Sequence, residues 1–255
     1  MNKIKFLGTA GTRFVVMKQL RASGGLWLSL DDTDILIDPG PGSLVKCMTS
    51  KPKLNPLDLD GIILTHRHLD HSNDINVMIE AMTNGGFKKK GVVFAPQDAL
   101  EGDPVILKYV RDYVDHVELL KERGNYTLKN ISFSTPIKHV HGVESYGLNI
   151  RAKNTSISLI SDTQYFDGLE SHYSGDILII NVVRLEPAEH ILHLSVEGAE
   201  KIIATNKPKL CIITHFGMTM IRAKPWEIAH QLSEKHGVEV IAARDGMTVD
   251  LDKYQ

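Results

Sequence analysis

Ten short runs of this chain are apolar throughout or nearly so: residues 4–7, 26–30, 35–37, 62–64, 92–94, 131–133, 157–160, 177–183, 210–213 and 238–241. They are rich in Ile, Val and Leu and too short for helices, so they read as β-strands. A strand that is apolar at every position has no face to give to water. Such strands have to be covered on both sides, which predicts sheets flanked by helices, an α/β arrangement. Helical periodicity appears in the right places, over 74–82, 104–113, 196–205 and 225–235, the last opening on Pro225 in its first turn.

The 255 residues suffice for one large domain or two small ones. No Pro/Ser-rich linker, internal repeat or low-complexity block divides them, so one domain over 1–255 is expected. Lys88 to Lys90 is the one charge run and reads as a solvated loop. The net charge of -2 gives no global reason to expect a polyanionic partner. Cys47 and Cys211 are the only cysteines, without disulfide or zinc-ribbon spacing, which suits a reducing cytosol. The opening MNKIKFLGTAG is too short an apolar run for a signal peptide and nothing is long enough to span a membrane. A cytoplasmic chain starting at its own N-terminus is therefore expected.

Histidine is the abundant reactive type, with 12 copies. In Ile62-Ile63-Leu64-Thr65-His66-Arg67-His68-Leu69-Asp70-His71 an apolar strand runs directly into four metal-ligand types. Alternation along an extended chain turns His66, His68 and Asp70 to one side. His71 then needs a turn, which the capping-rich Ser72-Asn73-Asp74 supplies. Imidazole and carboxylate together suit zinc, with manganese or iron as alternatives, better than the all-oxygen shells of calcium and magnesium.

This HxHxDH pattern resembles the metallo-β-lactamase superfamily. Further matches follow in order: Lys5-Phe6-Leu7-Gly8-Thr9, Ile35-Leu36-Ile37-Asp38-Pro39-Gly40, His141-Gly142-Val143-Glu144-Ser145-Tyr146-Gly147, Ser161-Asp162-Thr163 and Ile212-Ile213-Thr214-His215-Phe216. The late Thr-His-Phe looks most like the ribonuclease Z and phosphodiesterase branch. The resemblance implies an αββα sandwich of two mixed β-sheets flanked by helices, with halves related by a pseudo-twofold axis. Ile63-Leu64-Thr65-His66 and Ile212-Ile213-Thr214-His215, two strands ending in Thr-His, hint at that axis. It also implies two divalent metal ions, one on His66, His68 and His141, the other on Asp70, His71 and His215. Asp162 would bridge them by giving one oxygen to each.

Around these residues several readings stay open. His139 lies two positions before His141, and the spacing to Ser145-Tyr146-Gly147 favours His141 as the ligand. Asp38 either makes a turn or supports a ligand. His193, ahead of the 196–205 helix, faces the scissile phosphate by resemblance, or stands beside a helix cap. Arg184 and Glu186 follow the 177–183 strand, at the pocket or on the surface. His116, His172, His190, His230 and His236 have no motif support, and Cys211 reads as a small buried residue.

Two ions ~3.5–4 Å apart can share a hydroxide, lower the pKa of its parent water and neutralise charge on a phosphoryl oxygen. The expectation is a hydrolase in which that bridging hydroxide attacks, Asp70 orients it and takes its proton, and His193 protonates the leaving group. The substrate expected is a small-molecule or nucleotide phosphodiester. The rival is a tRNA 3'-processing endonuclease, with RNA as the less favoured partner. Against it, residues 95–139 contain no Gly- and basic-rich arm, and Phe216-Gly217-Met218-Thr219-Met220 lacks the Ser and Arg-Tyr usual after the Phe. Lactone and thioester hydrolases share the superfamily, and a metal- or nucleic-acid-binding protein without turnover is disfavoured by the full ligand set. A homodimer is left open.

Overall fold

Each of the ten apolar runs overlaps a strand in the computed structural model, which describes residues 2–255. The first sheet contains β1 (Lys3–Phe6), β2 (Leu26–Leu30), β3 (Thr33–Ile37), β4 (Gly61–Ile63), β5 (Val92–Ala95) and β6 (His116–Leu119) in that order. The second contains β7 (Gly124–Leu128), β8 (Ile131–Thr135), β9 (Leu148–Arg151), β10 (Ser156–Ile160), β11 (Ile177–Asn181), β12 (Leu210–Thr214) and β13 (Glu239–Ala242). The last strand, β14 (Thr248–Asp250), returns to the first sheet beside β1. Each sheet is mixed. Strands β3 to β6 and β10 to β13 are parallel, and the remaining pairs antiparallel.

Alternation explains why the runs are apolar throughout. Ile177 and Ile179 of β11 face the other sheet in a core shared with Ile4, Phe6 and Phe94. Leu178 and Ile180 face outward onto α5 (Val196–Asn206) and α7 (Pro225–His236), through Ile202, Ile203 and Leu232. On the other flank, Ile62 and Leu64 pack under Ile75, Met78 and Met82 of α4 (Ile75–Met82). The result is the expected αββα sandwich. Pro225 in the first turn of α7 and Gly237, at φ 63°, after its last turn fix the length of that helix.

Two expectations are corrected, and several further elements gave too little signal to be foreseen. Residues 104–113 form no α-helix, because the Val105 and Ile106 amides bond back to the Ala99 carbonyl, and only a 3₁₀ turn follows at Lys108–Tyr113. Strands β6, β7, β9 and β14 gave weak signals, being edge strands or strands with polar residues on alternate positions, as in the Tyr126/Leu128 and Leu148/Ile150 pairs. The short helices α1 (Thr12–Met17), α2 (Ser43–Thr49), α3 (Leu69–Ser72) and α6 (Met218–Arg222) span too few turns to show a period. The two Thr-His strands are also not twofold mates. Matching the sheet orders makes β3 equivalent to β10 and β4 to β11, so the symmetry-related acids are Asp38 after β3 and Asp162 after β10.

Phe94 links the sheets, with ring centroids 4.9 Å from Phe133 and 5.7 Å from Tyr126. Phe94→Ala should lower stability by about 3–5 kcal/mol in denaturant unfolding. Phe87 is 92% exposed, and Phe87→Ala should stay within about 0.5 kcal/mol. Equal losses would place the core elsewhere.

Candidate metal centre

Asp38, Thr65, Asp162, Asn181 and His215 all lie at or just beyond the carboxyl ends of parallel strands, where an open α/β sheet leaves room for a ligand. In-register pairing of Ile37 with Ile63 brings Asp38 alongside Thr65. The Asp38 carboxylate accepts the Thr65 amide through Oδ1 and the Thr65 hydroxyl through Oδ2, each at 2.7 Å, and Oδ2 also accepts His71 Nδ1 at 3.0 Å. Asp38 therefore supports a candidate ligand as well as forming its turn. The chain leaves β4 extended and turns into α3 at Leu69, so Asp70 rides on the helical turn with His71 and not on the strand. Asp74 does not cap α4 with its side chain; its carboxylate accepts the Leu44 amide on α2.

Hydrogen-bond bookkeeping fixes which ring nitrogens face inward. Thr65 has one hydroxyl hydrogen, and it goes to Asp38. The contact at 3.1 Å between Thr65 Oγ1 and His66 Nδ1 must then be donated by the histidine. That leaves His66 Nε2 with a lone pair, fully buried and without any hydrogen-bond partner. His71 likewise gives Nδ1–H to Asp38, and His141 gives Nδ1–H to the Leu192 carbonyl at 2.9 Å, so each turns Nε2 inward. His141 Nε2 lies 3.0 Å from His68 Nδ1, a separation at which two lone pairs suit a shared cation or one proton.

The inward atoms fall into overlapping groups, each within 4.8 Å: His66, His68 and His141; Asp70, His71 and His215; His66, His71 and Asp162; and His141, Asp162 and His193. Asp162 Oδ2 stands where they meet, 3.4 Å from the Nε2 atoms of His71 and His215 and 3.9 Å from that of His66. Its other oxygen accepts Asn181 Nδ2 at 2.8 Å. With Oδ1 held by Asn181, Oδ2 is the Asp162 oxygen that faces the clustered imidazoles. Asp70 Oδ2 lies 3.6 Å from His215 Nε2 and accepts the Thr12 amide at 3.1 Å.

The electrostatics of the cluster are strongly coupled. Burial opposes the Asp162 charge, but His215, His71 and His193 outweigh it and hold the carboxyl well below its usual range. Burial also disfavours a charged His71, yet Asp162 and Asp38 hold it well above the usual imidazole range. His66 is pushed well below that range, by burial first and then by His71, and His68 is lowered by burial and His141. Buried carboxylates with no Lys or Arg paired to them, facing an imidazole lone pair without a partner, fit a divalent transition metal. His139 differs: burial holds it down at about 3, and its Nε2 bonds the Tyr173 hydroxyl at 2.6 Å, away from the cluster.

His193 joins the cluster from the loop before α5, with Nδ1 3.4 Å from Asp162 Oδ2. Burial pushes its pKa down to about 4. Arg184 lines a cavity next to His193, whereas Glu186 is exposed and contributes its backbone carbonyl to Arg184 Nε. His116, His230 and His236 pair with Glu118, Glu234 and Glu200, and His172 is not among the clustered ligands. Both thiols are buried, which raises the Cys47 pKa to about 12 and pushes Cys211 up as well. Thr12 and Asn181 lie outside every quoted motif, and Thr65 and Ser161 stand in motifs that assign them no role, although the two hydroxyls lie 2.8 Å apart. For Asn181 a signal existed, one polar residue interrupting the apolar run 177–183.

Comparison with known proteins agrees with this architecture. Residues 33–216 match the family model for the Beta-lactamase superfamily domain. The uncharacterized protein MJ1374 of Methanocaldococcus jannaschii is 31% identical, over 98% of this chain and 95% of its own length. Ribonuclease Z of Thermoplasma acidophilum is 30% identical over 39% of this chain and 31% of its own. Among solved structures, the metallo-β-lactamase fold protein YhfI from Bacillus subtilis superposes with a TM-score of 0.78 at 18% identity, covering 97% of this chain and 98% of that one. The short form of human tRNase Z gives 0.71 at 17% identity, covering 98% and 99%, a likeness of fold. By the family match and its fold, the chain belongs to the metallo-β-lactamase superfamily, with ribonuclease Z enzymes among its relatives.

Proposed function

We propose that this protein is a dinuclear metal-dependent phosphodiesterase of the cytoplasm, acting on a small or nucleotide-derived phosphodiester. The observation that carries this reading is the meeting of two ligand groups at one buried oxygen, Asp162 Oδ2, beside an open cavity of about 430 Å³ lined by His68, Asp70, Asp162 and His193. In this reading His66, His68 and His141 hold one ion and Asp70, His71 and His215 the other. Divalent ions there, zinc first, would acidify a water and neutralise charge growing on the phosphoryl group.

The chain's own groups supply the rest. The Thr12 amide holds Asp70 through Oδ2, and the Asp70 carboxylate orients the attacking water and takes its proton. His193 lines the cavity, in reach of the leaving alkoxide that needs a proton. Against tRNA processing, residues 96–138 fold into 3₁₀ turns and strands β6 to β8 instead of a protruding arm. Purified protein should contain close to two transition-metal ions by elemental analysis. It should hydrolyse bis(p-nitrophenyl) phosphate faster than a thioester or lactone, lose that activity to a chelator, and fail to trim precursor tRNA. Salt-sensitive tRNA binding with 3' cleavage would promote the rival.

Asp162→Ala should fold but lose occupancy of both ions in a metal titration, because both groups face its Oδ2. His215→Ala should empty mainly one. Equal single-ion losses would remove the shared role of Asp162.

His193→Ala separates a general acid from a ligand. General acid catalysis contributes ~10²- to 10⁴-fold where the leaving group needs a proton. The variant should keep its metal, lose most activity on an alkyl phosphodiester and much less on a nitrophenyl one. The grouping of His193 with His141 and Asp162 favours a second reading, as a ligand. Metal loss with both rates falling together would establish that reading instead.

A further inference from the structure

The groove at the metal centre has two unlike wings. One is apolar, formed by Val16, Met17, Pro41 and Leu69. The other is a cavity of about 390 Å³ that shares Thr12, Arg13 and His193 with the first and adds Arg184 and Phe14. Among the described residues no carboxylate side chain lines this second wing. Arg13 has no ion-pair or hydrogen-bond partner among the described residues, and the Arg184 guanidinium is engaged only through Nε, by the Glu186 carbonyl at 3.2 Å. In a chain of net charge -2, two guanidinium groups left without acids beside a catalytic cleft do not follow from a generally basic surface. Guanidinium groups stay charged and match phosphate oxygens as a fork.

The backbone holds this wing in place. Gly11 donates its amide to the Phe216 carbonyl at 3.0 Å, and Thr12 donates to Asp70 at 3.1 Å, so α1 is tied to both flanks of the metal centre. A Cβ on Gly11 would stand 2.2 Å from the His215 carbonyl oxygen, so only glycine permits the approach. Phe14, on the same turn as Arg13, is 56% exposed at the cavity and offers an open aromatic face. Aromatic faces of that kind carry nucleobases regardless of sequence.

We propose that the cavity between Arg13 and Arg184 is a second anion subsite, selecting phosphodiesters that carry an additional phosphate and a ring for Phe14 to cover. The substrate class is thus a nucleotide diester with a further phosphate one sugar away from the scissile one, its uncharged arm lying in the apolar wing. This inference rests on the phosphodiesterase reading above.

The test compares two substrates in the metal-loaded protein, the p-nitrophenyl ester of thymidine 5'-phosphate and the same ester carrying a 3'-phosphate. Direct binding of thymidine 3',5'-bisphosphate, thymidine 5'-monophosphate and inorganic phosphate is measured by calorimetry alongside. The 3'-phosphate should lower KM by about 10-fold, the worth of a charge-assisted pair. In Arg184→Gln and in Arg13→Gln the KM ratio of the two esters should fall towards one, with Arg184→Lys keeping part of it. Bisphosphate should outbind monophosphate and inorganic phosphate by a similar factor, again lost in the Gln variants. Hydrolysis of both esters with no Arg-dependent preference, in KM or in binding, would overturn the subsite and leave the phosphodiesterase reading intact. No hydrolysis of either ester, with the Arg-dependent binding preference present, would overturn the phosphodiesterase reading and leave the subsite standing.

Discussion

A carboxylate with 2% of its surface exposed, Asp162, sits among imidazoles at the carboxyl end of β10. An uncompensated charge at that depth costs several kcal/mol, so everything near it is arranged around neutralising it. Asn181 occupies one oxygen and three histidine nitrogens stand within 3.4 Å of the other. Asn181 ends a strand, and Asp162 and His215 follow strands, whose inner and outer faces are packed between other layers. The rigidity of the sheets is what keeps them converged without a covalent link.

The two supporting acids show how the fold reuses one position for two purposes. Asp38 and Asp162 follow equivalent strands of the two sheets, yet Asp38 looks sideways at Thr65 and His71, and Asp162 looks into the cluster. One organises donors and the other faces whatever they bind. His66, through Thr65, and His71 thereby inherit their ring orientations from a carboxylate outside the cluster, an arrangement that fixes tautomers before any ligand arrives.

Much of this was legible in the residues. Apolar runs located ten strands because burial on both faces leaves no other composition, and the His66 to His71 segment advertised its chemistry by density alone. Asp70 was placed on the wrong element, since alternation was extended past Leu69, where the chain turns into α3. Strands such as Leu148–Arg151 stayed hidden because alternate positions are polar, and short turns such as Thr12–Met17 have no period to detect. Tertiary partners left no local trace: nothing near Thr12 in sequence shows that its amide meets Asp70, 58 positions away.

Thr12 itself carries a further consequence. Its backbone is left-handed, φ 68°, a conformation rare for a β-branched residue, and Asp38 and His215 share the region at 53° and 59°. Each such residue costs on the order of 1–3 kcal/mol. Glycine at position 12 would relieve that cost while keeping both the backbone conformation and the amide that meets Asp70. A backbone donor, not the threonine side chain, serves Asp70, so the strain at this position and the hydrogen bond it delivers can be separated by a single substitution.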